Sequence, residues 1–387
     1  FKILKKFFFF FIVMEYKDFL IKESVNLTGF KVLPEGAAIP SSGVVKLGID
    51  PTSDKLHLGH MIPMLMVKRL KENGMDVHII LGTFTAQMGD PSGRNDMRPI
   101  LSASETKSNA DSIVSQLHRI LGTDITIHYN HEWFDKMTLP QALSILSKFN
   151  VNYLMSRDSF QKRNEGGNPV GLHEIIVPIL QGLDSVELNA KVEVGGTDQL
   201  FNFMISRDLQ SKSGQEPEIC LMAPIINGTD GRKMSKTYNN AIYINDRDVD
   251  VYGKVMSIPD ETMYQWLPIF IEGYDKDEHP MKLKKALAYK VTEEVWGIKG
   301  AENGKLHFES TVQSKELPTD IKEYPATDFI QFLCTMLKCS RGDARRLITQ
   351  GAVSVNGERV AVKDSADYQL KSGDIVKSGK RNYAKVI

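Results

Sequence analysis

Apolar positions in this chain fall into short β-branched runs and longer helical stretches, separated by loops marked with Gly and Pro. Val44-Val45-Lys46-Leu47-Gly48-Ile49 is largely apolar and halted by Asp50-Pro51, which predicts a strand ending in a turn. A polar loop follows, and His57-Leu58-Gly59-His60 then opens an apolar stretch over 61–70 that predicts a helix. Residues 77–82 predict a second buried strand, running into a Gly- and Pro-marked loop over 83–94. Residues 104–121 have helical spacing, with Ile113, Leu117, Ile120 and Leu121 on one face. A third strand is expected over 125–129, helices over 139–149 and 170–188, and a fourth strand over 191–195 that leads into Gly195-Gly196-Thr197-Asp198-Gln199. Alternation of this kind predicts an α/β domain with a mostly parallel sheet, whose ligands bind at the carboxyl edge of the strands.

The pattern changes over 252–317, where turn signals thin out. Met281-Lys282-Leu283-Lys284-Lys285-Ala286-Leu287-Ala288 starts a charged, periodic run that predicts a helical region with few strands. Glu316-Leu317-Pro318-Thr319 and Tyr324-Pro325 read as a linker. The segment 326–387 reads as a small separate module. Asp328-Phe329-Ile330-Gln331-Phe332-Leu333 begins one helix, Ser340 is a good N-cap for a second, and 351–360 alternates around the hairpin signal Asn356-Gly357. The expected division is 14–245, 246–317, a linker over 318–325, and 326–387, with 15–43 a helical, loop-rich lead-in. Residues 1–13 stand apart: Lys5-Lys6 precedes Phe7-Phe8-Phe9-Phe10-Phe11-Ile12-Val13, too short to span a bilayer. They are expected to be an extension upstream of a start at Met14, with a targeting segment as the alternative.

A length of 387 residues suggests two or three domains, and 42% hydrophobic with 25% charged residues describes a globular chain. Lys+Arg and Asp+Glu both number 48, so no overall basic field exists to hold nucleic acid, and any RNA contact must come from local patches. Cys220, Cys334 and Cys339 show neither metal spacing nor an even disulfide set, which favours a reducing compartment.

Strand, loop and helix N-terminus in that order build an anion site, because unpaired backbone N–H groups and the helix dipole meet there. Gly59 would let a planar ligand approach the backbone, and His57 and His60 could donate hydrogen bonds to phosphate. Further on, Gly231-Arg232-Lys233-Met234-Ser235-Lys236-Thr237 is a Gly-flanked loop carrying three cations within five positions. Such a run is either a solvated turn or a loop that folds over a triphosphate and offsets charge as pyrophosphate leaves. Arg341, Arg345 and Arg346 form another cluster, on the helix after Ser340, able to contact phosphates.

His57-Leu58-Gly59-His60 followed by Lys233-Met234-Ser235-Lys236-Thr237 resembles the paired motifs of class I aminoacyl-tRNA synthetases. Gly89-Asp90-Pro91-Ser92-Gly93, Leu180-Gln181-Gly182-Leu183-Asp184-Ser185-Val186, Gly195-Gly196-Thr197-Asp198-Gln199 and Gly253-Lys254-Val255-Met256-Ser257-Ile258-Pro259 resemble the tyrosyl-tRNA synthetases, in particular their longer bacterial branch. The resemblance implies an α/β fold with a Rossmann-like parallel-sheet catalytic domain, then an α-helical anticodon-side domain, then a small α+β S4-like domain carrying the RNA-binding Arg341, Arg345 and Arg346. It implies a tyrosine–tRNA ligase that activates tyrosine with ATP to tyrosyl-adenylate and transfers it to the 3′ end of tRNA(Tyr). A cytoplasmic homodimer is expected, an organelle staying open, with neither membrane nor DNA as partner. His57 and His60 would sit at the ATP phosphates and ribose, and Lys233 and Lys236 would reach the β- and γ-phosphates in the transition state. Gly196 and Asp198 would hold the ribose, with Asp50 and Gly59 completing the ATP side. Lys46, Thr85, Asp90, Val177, Gln181, Asp184 and Gln199 would surround the amino acid. Of these, Asp90 and Gln181 would bind the ammonium group, and Asp184 would accept from the phenol hydroxyl. Mg²⁺ would accompany ATP as part of the substrate, with no protein metal site and no tightly bound cofactor.

Two positions depart from the family pattern. Val177 stands where a tyrosine is usual, four residues before Gln181, which removes a hydroxyl expected at the substrate ammonium and enlarges the cavity. Leu183 stands where a tyrosine or similar residue is usual just before the aspartate. Two alternatives stay open: a paralogue that activates another amino acid, and a non-catalytic RNA-binding relative. Intact His57, His60, Lys233, Lys236 and Asp198 speak against the second.

Overall fold

The computed structural model describes residues 31–88, 101–313, 321–360, 368–379 and 382–387. Two compact units are present, one ending at Ala301 and one from Glu302 to Ile387. The first contains a six-stranded sheet of β1 (Lys31–Leu33), β2 (Val44–Ile49), β3 (Asp76–Leu81), β4 (Thr126–Tyr129), β5 (Val192–Gly196) and β6 (Ile219–Ala223). Its order is β1-β6-β5-β2-β3-β4, with β1 antiparallel to β6 and the other pairs parallel. The winding direction reverses between β2 and β5, so the loops after these strands part and leave a crevice at the carboxyl edge. Val45, Leu47, Val77, Ile79, Val192 and Val194 are buried, as strands covered on both faces require.

The strands expected over 44–49, 77–82, 125–129 and 191–195 appear within a residue of those limits. So do helices α1 (Leu58–Glu72), α2 (Ala103–Leu121) and α3 (Leu172–Leu188) near theirs. Ser102 and Glu105 cap α2 reciprocally, and Ile113, Leu117, Ile120 and Leu121 form its buried face. Inside the expected loop over 83–94 the chain makes one helical turn, Thr85–Met88; the rest of that loop lies outside the described residues. The helix expected over 139–149 is shorter, Leu139–Leu146, because Asn150 accepts a hydrogen bond from the Tyr153 N–H and starts a new helix, Val151–Met155. β1, β6 and α4 (Leu200–Lys212) have no counterpart in the sequence reading. β1 is too short for periodicity, and Ile219-Cys220-Leu221-Met222-Ala223 holds a single β-branched residue.

From 246 to 313 the described residues contain helices Asp248–Met256, Asp260–Phe270 and Pro280–Phe308 and no strand. The second unit contains α5 (Phe329–Leu337), α6 (Arg341–Thr349) and a sheet of β7 (Lys322–Tyr324), β8 (Val353–Val355), β9 (Glu358–Arg359), β10 (Ile375–Ser378) and β11 (Asn382–Val386). Its order is β7-β11-β10-β8-β9. β7, in the stretch read as a linker, pairs parallel with β11. Asn356 and Gly357 take φ of 51° and 87°, the left-handed pair that turns β8 into β9. Among the described residues no helix is long and apolar enough to cross a membrane.

Candidate active site

A cleft of about 920 Å³ opens where β2 and β5 end, and residues from both motif loops line it. Gly48 leaves its floor bare: a Cβ there would meet nothing within 4 Å, although β2 is a central strand.

On one wall His57 is the N-cap of α1. Its Nδ1 accepts from the Gly59 N–H at 3.1 Å, and His60 Nδ1 accepts from the His57 N–H at 3.2 Å. A ring whose Nδ1 is an acceptor carries its proton on Nε2, so each imidazole offers one donor. Burial, then the nearby His60 and Lys233, pushes His57 down to about 2; burial pushes His60 down to about 4 against the pull of Asp198. Both rings are therefore neutral donors at physiological pH. Gly59 is required by this cap, since a Cβ there would come within 2.9 Å of the His57 ring.

The facing wall carries Gly196, Asp198 and the cationic loop. Lys233 Nζ lies 3.3 Å from Asp198 Oδ2. Arg232 is held by Asp230, Nε to Oδ2 at 2.8 Å, so its charge is already engaged. Asn240, buried, pins the loop from inside: Nδ2 donates to Asp230 Oδ1 at 2.7 Å and to the Lys233 carbonyl at 3.1 Å, while Oδ1 accepts from the Ser235 N–H at 2.8 Å. Met234 is buried beside this pin, and Lys236 follows it, exposed at the cleft mouth.

The closed end of the cleft is polar and connected. Asp50 Oδ1 accepts from Thr85 Oγ1 at 2.8 Å, and Thr85 Oγ1 accepts from Asn130 Nδ2 at 3.1 Å. A Cβ on Gly82 would stand 2.0 Å from that Asp50 oxygen, so only glycine leaves the pair intact. Val177, Gln181 and Asp184 share one face of α3 (i, i+4, i+7) and all line the cleft. Asp184 Oδ1 accepts from Trp133 Nε1 at 3.0 Å, and Oδ2 from Asn130 Nδ2 at 3.4 Å. Burial pushes the Asp184 carboxyl up to about 7, against the Lys46 charge and these two donors.

The family model described as tRNA synthetases class I (W and Y) matches residues 41–311, and an S4 domain matches 330–376. A tyrosine–tRNA ligase of Dehalococcoides mccartyi is 38% identical over 363 residues, 89% of this chain and 91% of that protein. One from Thermotoga maritima is 38% identical over 82% of this chain and 83% of its own length. The chain belongs to the tyrosine–tRNA ligase family. Ligases of this family form aminoacyl-tRNA with ATP as a substrate, and this chain is one of them. A truncated mitochondrial tyrosyl-tRNA synthetase of Coccidioides posadasii has the same fold, with a TM-score of 0.60 at 21% identity over 75% of this chain and 91% of that one.

In this tyrosine–tRNA ligase family member the cleft brings together His57, Gly59, His60, Asp50, Gly196, Asp198, Lys233, Lys236, Thr85, Val177, Gln181, Asp184 and Gln199. Asp90 lies outside the described residues. Lys46, expected at the amino acid, does not line the cleft. It is 1% exposed, and its ammonium group is engaged by Glu193 Oε1 at 2.8 Å, Ser185 Oγ at 2.5 Å and the Gln181 main-chain carbonyl at 3.2 Å. Lys46 alternates with Val45 and Leu47 along β2, so its side chain leaves on the sheet face that α3 covers. The two departures separate as well. Val177 lines the cleft, whereas Leu183 packs on the other side of α3 with Phe134, Ile179 and Leu209.

Asn130, Trp133, Glu193, Asn202 and Asn240 are absent from the sequence reading. Asn130 and Trp133 directly follow β4 at the carboxyl edge, where the rule that placed the 83–94 loop could have found them. In the second unit Arg341, Arg345 and Arg346 are all exposed. Arg346 contacts Asp343, and Arg341 Nη2 lies 3.5 Å from Asp328.

Proposed function

We propose that this ligase activates tyrosine with ATP and transfers it to the 3′ end of tRNA(Tyr). The observation that carries the reading is the convergence, on one cleft, of two fixed Nε2–H donors and two lysines. Attack of a carboxylate on the α-phosphorus of ATP needs no protein nucleophile; it needs two anions held together and charge stabilised as pyrophosphate leaves. His57 and His60 donate to the phosphates and ribose, Lys233 and Lys236 to the β- and γ-phosphates, and Asp198 accepts from the ribose beside Gly196. Mg²⁺ arrives with ATP, its ligands phosphate oxygens and water. At the closed end Asp184 accepts from the phenol hydroxyl and Gln181 from the ammonium group. ATP–pyrophosphate exchange measured across the standard amino acids tests the reading. Tyrosine alone is expected to support exchange; exchange with another amino acid instead, or with none, overturns it.

Arg341, Arg345 and Arg346, exposed on and beside the capped start of α6, serve the tRNA backbone in this reading. The three free cysteines support a cytoplasmic setting.

The enzyme is further proposed to act as a homodimer. Helix Leu139–Leu146 has no buried residue, although Leu139 and Leu143 are 70% and 55% exposed. Val151 and Leu172 are exposed as well. An apolar helix face left bare in one chain calls for a cover, and a second copy of the same face is the commonest one. Replacing both Leu139 and Leu143 with Asp is expected to turn a dimer into monomers by sedimentation equilibrium. A mass unchanged by the substitutions excludes this face as the interface.

A further inference from the structure

Three side-chain amides run in series at the amino-acid end of the cleft, two of them lining it. Gln181 Nε2 donates to Glu193 Oε1 at 3.0 Å. Asn202 Nδ2 donates to Gln181 Oε1 at 2.9 Å and to Gln199 Oε1 at 2.8 Å. An amide fits the same space when turned over, exchanging donor for acceptor, so a row of amides has two opposite senses. One member of this row has no such freedom. An ionised carboxylate only accepts, so Glu193 forces the Gln181 NH₂ toward itself and the carbonyl away. The Asn202 NH₂ must then face that carbonyl, and through its second proton it fixes the Gln199 carbonyl. Reversing any one member would set NH₂ against NH₂ or oxygen against oxygen.

The surroundings keep Glu193 ionised. It is 1% exposed, and burial alone would push its carboxyl up. Lys46 Nζ at 2.8 Å and hydrogen bonds from Glu218, Lys46 and Gln181 outweigh that and hold it below the ordinary carboxylate range. Glu218 goes the other way: burial and the Glu193 charge push it well above that range, so it is a neutral acid that donates to Glu193. Ser185 Oγ donates to Glu218 Oε1 at 2.9 Å. The buried group therefore holds one carboxylate against one ammonium. Asn202 Oδ1 is buried without a hydrogen-bond partner among the described residues. That orphan is the cost of keeping both Asn202 N–H protons on the two glutamine oxygens.

We propose that Glu193 is a positioning residue for amino-acid selection. It sets the sense of the Gln181–Asn202–Gln199 amide row, so that the side-chain oxygens of two cleft-lining glutamines both accept from Asn202 Nδ2 and keep their remaining lone pairs as acceptors for an ammonium group. The inference rests on the reading of Gln181 as the ammonium ligand. It goes beyond that reading by naming what makes Gln181 an acceptor.

The test compares the affinities of tyrosine and 3-(4-hydroxyphenyl)propionate, which lacks only the ammonium group. Their ratio is measured by equilibrium binding to the full chain carrying Glu193→Gln, Gln181→Ala or neither. ATP affinity is followed as a check on the fold. Glu193→Gln restores the flip and is expected to shrink the ratio at least tenfold, with ATP affinity unchanged. Should the stranded Lys46 charge unfold that variant, Lys46→Met with Glu193→Gln removes it and is read in its place. If Gln181→Ala shrinks the ratio and Glu193→Gln leaves it intact, Glu193 does not set the sense of the row and the inference fails alone. An equal loss of both ligands in Glu193→Gln would mark a packing role and also overturn it. If Gln181→Ala leaves the ratio intact, the reading of Gln181 fails and the inference with it.

Discussion

Replacing Asp184 with asparagine is expected to lower kcat/KM for tyrosine by on the order of a hundredfold, and to narrow the preference over phenylalanine by a similar factor. Both Asp184 oxygens face protein donors, Trp133 Nε1 at 3.0 Å and Asn130 Nδ2 at 3.4 Å. A carboxylate satisfies both and retains lone pairs for a phenol hydroxyl. An asparagine has one accepting oxygen, so its NH₂ must oppose one of these two N–H groups. The variant thus loses the charge-assisted hydrogen bond and gains a buried clash of donors. Phenylalanine needs neither, and its turnover should change less. Parallel kcat/KM measurements for the two amino acids check this; equal losses for both would deny Asp184 the phenol.

The same carboxyl gives a pH signature. Burial raises it to about 7, so the free enzyme is part-protonated near neutrality. A phenol donor prefers the ionised form, so binding lowers the pKa and releases a proton. Tyrosine affinity is expected to rise with pH up to about 7 and level off above, and the slope to vanish in Asp184→Asn. For stability the sign is opposite. Between the ordinary carboxylate range and about 7 the folded chain holds a proton that the unfolded chain has lost, so this group's contribution falls as pH rises through that window.

Most of the wall that carries the His57–His60 motif is legible in the sequence because it is built locally. The cap that fixes the tautomers of His57 and His60 spans four consecutive residues, and β-branched runs announce β2, β3 and β5. What the sequence hides are contacts between distant segments. Lys46 reads as a pocket residue until Glu193, 147 positions later, is seen to take its charge. Asn202 and Asn240 carry no motif, and each matters through hydrogen bonds that only the folded chain assembles. Leu183, one residue before Asp184, looks like a change in the substrate pocket. Helical geometry sends it to the opposite face of α3, leaving Val177 as the departure that touches the cleft.

Lys236→Ala is expected to slow adenylate formation at least tenfold while ATP affinity changes little. The loop divides its cations by position. Arg232 is clamped by Asp230, Lys233 already leans on Asp198, and Lys236 stands exposed at the mouth, just beyond Ser235, whose N–H Asn240 holds. An exposed lysine contributes little to binding a ground-state triphosphate, because water screens it. When the bond to pyrophosphate breaks, negative charge builds on the leaving oxygens, and a short swing of the side chain brings an ammonium group to it. An interaction made only then changes rate and leaves affinity alone. Lys233→Ala should act on both, since its ammonium group already sits beside Asp198, the residue proposed to hold the ribose. Single-turnover adenylate formation at several ATP concentrations separates the rate from the dissociation constant. A Lys236→Ala enzyme with an unchanged rate constant, or one whose only defect is weaker ATP binding, would exclude a role for Lys236 in the transition state.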